Sequence, residues 1–273
     1  MKVIATLIMF VFMFAGNGFA GEKQLSLDGS TTVGPIAKAF AEYFMKNDPN
    51  LNISVSESGS GNGAKSLISG NCHIGCMSRP MKDKEFKMAV ENNVTPTPHV
   101  IALDGIAIVV HPSNPAKALK MEQVKEIYLG KISNWKELGG PDMKIVVVSR
   151  DSNSGTFETF NKLVMNKGNV VNTAETVGSN GAVRSRVQST RAAIGYVGLG
   201  FVDNSLKALE IDGVYPSKKT IQTGVYPIAR PLYMYTDKYP KMGSLVYQFV
   251  TFYLTKDGQQ LVEEIGFIPC TSY

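Results

Sequence analysis

The chain passes from a predicted strand, 24–27, into a predicted helix at Gly29-Ser30-Thr31-Thr32-Val33-Gly34-Pro35. Pro35 suits the first turn of a helix, and Ile36 and Phe40 follow it at helical spacing. A helix N-terminus carries unpaired backbone N–H groups and a partial positive charge. Glycines and hydroxyls placed there let a small anion approach the backbone closely, so this junction indicates both a strand–helix fold and an anion site.

The same kind of junction occurs twice more, at Ser58-Gly59-Ser60-Gly61-Asn62-Gly63 and at Arg150-Asp151-Ser152-Asn153-Ser154-Gly155-Thr156. Taken singly, Ser60 and Ser154 are explained as turn residues or helix caps, and Arg150 as one partner of a surface ion pair. Taken together, they favour one oxyanion held from several sides. Arg150 would supply a permanent charge and a planar donor fork, and the hydroxyls and backbone N–H groups would complete the shell.

Strands and helices alternate along the rest of the chain. The hydrophobic periodicity predicts strands at 24–27, 51–55, 73–77, 100–110, 144–148, 193–197 and 228–236. It predicts helices at 35–47, 64–68, 82–92, 121–129, 157–164, 180–188, 242–254 and 256–265, with Asn180 as a helix cap. This alternation favours an α/β fold with parallel sheets, in which ligands bind beyond the carboxyl ends of the strands.

Two of these strands, 100–110 and 228–236, are long and enclose the middle of the chain. Their spacing suggests that the chain leaves a first lobe, builds a second and returns, so that two crossing strands form a hinge beside a cleft. We therefore expect a first lobe of residues 21–102 with 231–273 and a second lobe of residues 103–230.

The N-terminus has the features of a secretory signal peptide. Lys2 is followed by an almost wholly apolar run, 3–15, and Gly18-Phe19-Ala20 has the small-x-small pattern of a cleavage site. The run is short for a membrane span, which disfavours the alternative of a membrane anchor. We expect residues 1–20 to be a signal peptide, cleaved after about Ala20, and the mature protein to be soluble and exported.

Charge and cysteine content argue against several kinds of site. The formal net charge is +5 over 273 residues and the basic residues are scattered, so we expect no nucleic-acid partner. Cys72-His73-Ile74-Gly75-Cys76 has neither the order of a haem motif nor a second ligand pair with zinc spacing. An exported protein could oxidise one pair among Cys72, Cys76 and Cys270, but buried thiols are favoured, and we expect neither a metal nor a cofactor.

Six segments carry a resemblance to a known family. They are 29–35, 58–61, Ile74-Gly75-Cys76-Met77-Ser78-Arg79-Pro80, Arg150 with Ser154-Gly155-Thr156, Ala193-Ile194-Gly195-Tyr196-Val197 and Tyr226-Pro227-Ile228-Ala229-Arg230-Pro231-Leu232-Tyr233. In this order they resemble the periplasmic phosphate-binding proteins of phosphate ABC transporters, the PstS family, over about residues 25–269. Gly195-Tyr196 and Arg230-Pro231-Leu232-Tyr233 are interpreted as architectural.

The resemblance implies the periplasmic-binding-protein fold, with two α/β lobes that clamp dehydrated phosphate between them. It implies a periplasmic protein that passes phosphate to the membrane permease of an ABC transporter, and we expect a monomer. The residues implied to contact phosphate are Thr31, Thr32, Ser60 and Ser78 from the first lobe, and Arg150, Ser154, Gly155 and Thr156 from the second. Ser30, Arg79 and Asn180 are further candidates.

Two positions depart from the best-known members of the family. Those members have an aspartate where Ser78 stands, and that carboxylate accepts the proton of hydrogen phosphate and repels fully ionised sulfate. They also have an acidic residue two positions after the arginine, where this chain has Ser152 preceded by Asp151. Phosphate is the expected ligand, and sulfate or molybdate is the alternative within the same class.

An exported phosphatase is the alternative from a different class. It would need a nucleophile with a base, or a metal cluster, and the three histidines are dispersed while no Gly-x-Ser-x-Gly elbow is present. A structural or adhesive protein would not need Arg150 together with the hydroxyl clusters. The sequence therefore predicts a binding protein rather than an enzyme.

Overall fold

The computed structural model describes residues 23–271. The strands are β1 (Gln24–Gly29), β2 (Asn52–Ser56), β3 (Ile74–Met77), β4 (Pro96–Val110), β5 (Ala118–Leu119), β6 (Val146–Arg150), β7 (Glu175–Val177), β8 (Ala193–Gly198), β9 (Lys207–Ala208), β10 (Glu210–Ile211) and β11 (Ala229–Asp237). The helices are α1 (Gly34–Asn47), α2 (Ser60–Ile68), α3 (Asp83–Glu91), α4 (Met121–Tyr128), α5 (Gly155–Leu163), α6 (Asn180–Gln188), α7 (Lys218–Gln222), α8 (Leu245–Thr251) and α9 (Lys256–Glu264). Short 3-10 turns lie at Trp135–Leu138, Leu199–Phe201 and Phe252–Leu254.

Most strands form one sheet in the order β2-β1-β3-β11-β4-β8-β6-β7, with β9 also paired to β4. The pairs of β1 with β2 and β3 are parallel, as are those of β6 with β7 and β8. Strand β11 is antiparallel to β3 and β4, and β4 is antiparallel to β8. The α/β architecture with parallel blocks is thus confirmed, and the antiparallel strands join the two blocks.

The long strand β4 belongs to both blocks. Its first part pairs with β11 as far as Gly105, and from Ile106 onward it pairs with β8. A separate hydrophobic core lies on each side of this point. Phe40, Phe249 and Leu232 belong to the first core, and Tyr128 and Phe160 to the second. We call the part built around the first core (β1–β3, α1–α3, α8 and α9) the first lobe, and the part built around the second (β5–β10 and α4–α7) the second lobe.

Helix α1 shows how the sequence produces the first core. Pro35 lies in its first turn, and its apolar face places Ile36, Phe40 and Ala41 in the interior. The Phe40 ring meets Phe252 edge-to-face, with 4.9 Å between ring centroids. The helix therefore docks the C-terminal elements against the sheet that begins the chain.

Several element boundaries differ from the sequence prediction. Strand β4 begins at Pro96 rather than at 100, because its extra residues pair with the end of β11. Proline has no N–H to donate to a neighbouring strand. Pro96 and Pro98 fit in β4 because β8 pairs with β4 only from Ile106, so the edge of β4 opposite β11 forms no ladder hydrogen bonds with β8 at these two residues. Helix α8 begins at Leu245 rather than 242, because the Ser244 hydroxyl caps it by accepting from the Tyr247 N–H. Five short elements are too short to show a hydrophobic periodicity and were not predicted; they are β5, β7, β9, β10 and α7.

The predicted signal peptide, 1–20, lies outside the described residues. Within 23–271, no helix is both long enough and apolar enough to cross a membrane. The three cysteines are free, and Cys72 and Cys76 are buried, as predicted. Burial raises the pKa of the Cys72 thiol to about 12, so it remains protonated at neutral pH.

Candidate functional site

The three Gly/Ser/Thr segments meet between the lobes. The Thr32 hydroxyl of the first segment lies 3.1 Å from the Thr156 hydroxyl of the third. At the start of α2, the Gly61 N–H donates to the Asn153 carbonyl at 3.0 Å. The segments follow β1, β2 and β6, so the predicted placement at the carboxyl ends of strands is correct.

Most of the predicted site residues are buried in one polar cluster. Their side chains are almost fully removed from solvent, and the set comprises Ser30, Thr31, Thr32, Ser60, Ser78, Arg150, Ser154, Thr156 and Asn180. Gly155 is in the cluster as well, because a Cβ atom there would lie 2.4 Å from the Ser60 Oγ and 2.7 Å from the Ser78 Oγ. Only glycine lets the start of α5 approach the two serines this closely.

Arg150 ends β6 with its guanidinium inside the cluster, and the residue is 3% exposed. Its Nε donates to the Val177 carbonyl at 3.2 Å, and its Nη2 donates to the Gly178 carbonyl at 2.9 Å and to the Thr31 hydroxyl at 3.3 Å. Among residues 23–271, no carboxylate forms an ion pair with it, and its buried Nη1 has no hydrogen-bond partner. Burial lowers the pKa of Arg150 to about 10, so the group stays charged at neutral pH.

Asn180 has a different place from the one predicted. Ser179, not Asn180, caps α6, because the Ser179 hydroxyl accepts from the Ala182 N–H. Asn180 is the first residue of the helix, and its side-chain Nδ2 donates to the hydroxyls of Thr31 at 3.1 Å and Thr32 at 2.9 Å. Its Oδ1 accepts from the Gly198 N–H. The amide thus holds the first segment against the second lobe.

Arg230 and Asp104 belong to the same cluster, although the sequence prediction left them out of the site. They are register partners on β11 and β4, and the Arg230 Nε and Nη2 lie 3.0 Å and 2.9 Å from the Asp104 Oδ2. The same Nη2, which has two protons to share, also lies 3.0 Å from the Thr156 hydroxyl and 3.3 Å from the Thr32 hydroxyl. Burial raises the pKa of Asp104, and Arg230 opposes that rise. A charged residue within each long apolar strand is the signal that could have identified this pair.

The serine hydroxyls divide into caps and other roles. Ser154 is the N-cap of α5, with its Oγ accepting from the Phe157 N–H at 3.1 Å, and the Ser30 Oγ accepts from the Thr32 and Val33 N–H groups. Ser60 is not a cap: its Oγ accepts from the Ser78 N–H at 3.1 Å and lies 3.3 Å from the Ser78 Oγ.

Arg79 is the one candidate side chain that the structure does not bring into the cluster. Its Nη1 and Nη2 lie 2.7 Å and 2.8 Å from the two oxygens of Glu85, and its Nε lies 2.8 Å from Glu158. The guanidinium is therefore held by carboxylates outside the polar cluster, and Arg79 is not retained among the proposed ligand contacts.

Chemically, the cluster offers hydrogen-bond donors around a small space. Helices α2, α5 and α6 begin in it, so their free N–H groups and positive ends face inward. Among residues 23–271, no group of His, Cys, Asp and Glu side chains has the arrangement of a metal site. The geometry suits a small oxyanion, which accepts hydrogen bonds on every side.

Comparisons with known proteins agree with this chemistry. Residues 18–257 match the model of a family described as PBP superfamily domain. The chain is 34% identical to the phosphate-binding protein PstS of Staphylococcus saprophyticus over 91% of its own length and 81% of the relative. It is 33% identical to PstS of Bacillus subtilis over 99% of its length and 94% of the relative.

Solved structures give the same result. A phosphate ABC transporter substrate-binding protein from Clostridium perfringens, solved with bound phosphate, superposes with a TM-score of 0.83 at 34% identity. The match covers 91% of this chain and 100% of that one. A phosphate transport receptor from Vibrio cholerae superposes with a TM-score of 0.73 at 31% identity, covering 89% of this chain and 99% of that one.

Proposed function

We infer that this chain, which belongs to the PstS family of phosphate-binding proteins within the PBP superfamily, binds inorganic phosphate in the interlobe cluster. The fold is the two-lobe periplasmic binding fold, and the family is one of transport receptors rather than enzymes. The proposed ligand contacts are Thr31, Thr32, Ser60, Ser78, Arg150, Ser154, Gly155 and Thr156.

The observation that carries the proposal is that the buried Arg150 forms no ion pair with a carboxylate among residues 23–271. A buried cation without an anionic partner is costly, and a bound oxyanion would remove that cost through charge-assisted hydrogen bonds. The buried Nη1 with no partner among residues 23–271 is available for such a bond. Phosphate matches the hydroxyls and helix N-termini that surround this arginine.

The closure of two lobes explains how a buried site could be loaded. We propose the lobe boundaries at 102/103 and 230/231, close to where β4 exchanges β11 for β8 as its partner. Rotation about these two strands would open the cleft, and phosphate contacts from both lobes would close it. The hinge lies next to the site, since Asp104 and Arg230 lie on the crossing strands themselves.

Export and delivery complete the proposal. The predicted signal peptide, 1–20, would direct the chain to the periplasm and be cleaved after about Ala20. There the monomer would deliver phosphate to the membrane permease of an ABC transporter. The Clostridium perfringens neighbour, named a phosphate ABC transporter substrate-binding protein, supports this role.

A melting screen with calorimetry tests the ligand. Phosphate is expected to raise the melting temperature by mass action, with sulfate and molybdate as the competing oxyanions and chloride as the control. Adding p-nitrophenyl phosphate separates binding from turnover. A melting temperature that no oxyanion changes, or release of p-nitrophenol, would contradict the proposal.

A further inference from the structure

The ladder between β6 and β8 stops before β6 reaches its last residue, Arg150. Within the described chain, the two strands are in register at Val146 and Val147 of β6, although β8 continues to Gly198. On its other side, β6 stays paired with β7 as far as Arg150. The backbone groups of β6 that face β8 after Val147 therefore need hydrogen-bond partners other than a neighbouring strand.

Two buried tyrosine hydroxyls supply these partners. Alternate residues of a strand direct their backbone groups to the same side, and the Val146 N–H donates to the carbonyl just before β8, so Val148 and Arg150 also face β8. The Tyr128 hydroxyl donates to the Val148 carbonyl at 3.1 Å, and the Tyr196 hydroxyl accepts from the Arg150 N–H at 3.1 Å. The backbone of Arg150 is thus anchored by a side chain where a neighbouring strand would otherwise hold it.

The two tyrosines form one aromatic cluster with Phe160 of α5. The Phe160 ring is stacked on the Tyr196 ring with 4.1 Å between centroids, and the Tyr128 ring lies 4.6 Å from Phe160. All three side chains are fully buried. Because Thr156 lies about one helical turn before Phe160 in α5, the same cluster holds both Arg150 and the helix that carries the neighbouring proposed contacts.

The side chain of Arg150 is directed by neutral groups. Its Nε and Nη2 donate to the carbonyls of Val177 and Gly178, at the end of β7. Burial raises the pKa of Tyr196 to about 12, so its hydroxyl stays neutral at neutral pH and does not compensate the charge of the arginine. The same hydroxyl lies 3.0 Å from the Ser149 Oγ, which places it against the last two residues of β6. Tyr196 can therefore fix the position of Arg150 while leaving its charge to a ligand.

Building on the proposed function, we propose that Tyr196, supported by Tyr128, is a positioning residue for phosphate: its hydroxyl holds the Arg150 backbone so that the guanidinium stays directed at the ligand. Without this acceptor, the buried Arg150 N–H has no partner unless the end of β6 moves to find one. Such a movement would displace the guanidinium from its carbonyl contacts with β7. A displacement of about 1 Å is enough to weaken a site that depends on a fixed donor geometry.

The first experiment removes the hydroxyl and keeps the stacked ring. Tyr196→Phe should weaken phosphate binding, measured by calorimetry on the folded protein, about tenfold. Tyr235→Phe is the matched control, because the buried Tyr235 hydroxyl also accepts from a backbone N–H at 3.1 Å, that of Met81 in the first lobe. Its affinity for phosphate should change less than about twofold, although its melting temperature should fall as in Tyr196→Phe.

A double-mutant cycle tests whether Tyr196 acts through Arg150. Arg150→Lys keeps the charge but loses the planar fork, so the exact position of the side chain matters less. In that background Tyr196→Phe should weaken phosphate less than about threefold. Tyr128→Phe carries the same cycle if Tyr196→Phe does not fold. Its bond is one step further from the arginine, so it should weaken phosphate about fivefold alone and less than about twofold beside Arg150→Lys.

A second measurement needs no phosphate. In the ligand-free protein, NMR should show the Arg150 Nε–H exchanging with water at least about tenfold faster in Tyr196→Phe than in the wild type, because its bond to the Val177 carbonyl is loosened. Tyr235→Phe should leave this exchange rate unchanged. A purely structural role for Tyr196 would lower the melting temperature without this local change.

The outcomes separate this proposal from the proposed function. A wild-type protein that binds no phosphate would overturn the function, and the exchange rate of the Arg150 Nε–H would still decide whether Tyr196 positions the arginine. Equal losses of affinity in Tyr196→Phe and Tyr235→Phe would overturn the positioning role. So would an effect of Tyr196→Phe that is undiminished by Arg150→Lys, or an unchanged exchange rate at Arg150.

Discussion

Two buried arginines, Arg79 and Arg150, lie at the ends of strands beside the polar cluster and yet have opposite surroundings. Arg79, with 5% of its side chain exposed, has a carboxylate on each of two edges, from Glu85 and Glu158. Arg150 is buried to a similar degree but meets only backbone carbonyls and the Thr31 hydroxyl. Position beside a site segment therefore does not make an arginine available to a ligand.

The carboxylate partners decide which arginine is available. The charge of Arg79 is already neutralised, and its contacts link α3 of the first lobe to α5 of the second. No described carboxylate forms an ion pair with Arg150, and its buried Nη1 has no hydrogen-bond partner among residues 23–271, so it is available to an anion. The first arginine contributes to structure, and the second is the one we assign to binding.

The largest expected effects come from removing each of the two arginines in turn. Arg150→Ala should cost about 2–5 kcal/mol of phosphate binding with little loss of folding stability, because the anion loses its charged partner. Arg79→Ala should instead cost about 3–5 kcal/mol of folding stability, because Glu85 is left as an unpaired buried charge. Calorimetry and denaturant unfolding of both variants measure the two quantities.

Arg186→Ala is the matched control for both variants. Arg186 pairs with Glu175 within the second lobe and is well exposed, so neither property should change by more than about 1 kcal/mol. Equal losses of phosphate affinity in Arg79→Ala and Arg150→Ala would show that the contrast between the two arginines is wrong.

A smaller effect distinguishes contacts across the cleft from contacts within a helix. Thr156→Val keeps the shape of the side chain but removes its hydroxyl bonds with Thr32 and Arg230, so it should weaken phosphate by about 1–3 kcal/mol. The melting temperature of the ligand-free protein should change little. Ser244→Ala removes the cap of α8 and should do the reverse, costing about 1 kcal/mol of stability with affinity intact. If Thr156→Val lowers stability as much as affinity, its hydroxyl has a structural role instead.

The sequence predicted the features that depend on local patterns. Pro35 in the first turn of α1 and Ser154-Gly155 at the start of α5 are read from neighbouring residues alone, and the structure has both helices. The two long strands were recognised from their apolar runs, although β4 starts earlier than predicted.

What the sequence could not show depends on register and on long-range pairing. Asp104 meets Arg230 only because β4 and β11 align these residues, which are 126 positions apart and lie close to a register shift at Leu232/Tyr233. Glu158 likewise reaches Arg79 only when the two lobes are packed together. The periodicity of a sequence does not indicate such long-range partners. The sequence prediction therefore included Arg79 among the candidate ligand contacts and left out Arg230.

The third prediction tests whether Glu158 stabilises the closed cleft. Glu158 lies 2.8 Å from both the Arg79 Nε and the Lys82 Nζ, so opening would separate it from the first lobe while Arg79 keeps Glu85. Glu158→Gln should weaken phosphate binding by about 1–2 kcal/mol, mainly through faster dissociation. Stopped-flow release of phosphate measures the rate, and solution scattering should show a smaller radius of gyration with phosphate than without. Glu175→Gln, which removes an ion pair inside one lobe, should leave both measurements unchanged; an equal effect there would mean that Glu158 does not act across the cleft.

The smallest expected effect concerns selectivity between phosphate and sulfate. It depends on Arg79 remaining paired with Glu85 and Glu158. A neutral hydroxyl at Ser78 accepts the phosphate proton without repelling sulfate, whereas a carboxylate would do both. Ser78→Asp should therefore improve discrimination against sulfate by about 1 kcal/mol, roughly fivefold. Arg79 is the nearest cation in sequence, but Glu85 and Glu158 already hold three of its nitrogens, so it should not draw the new carboxylate away from the ligand. Competition of sulfate against phosphate in the two proteins measures the change. If Ser78→Asp leaves discrimination unchanged while Ser78→Asp combined with Arg79→Met improves it, Arg79 is able to exchange partners and is less firmly held than its contacts indicate.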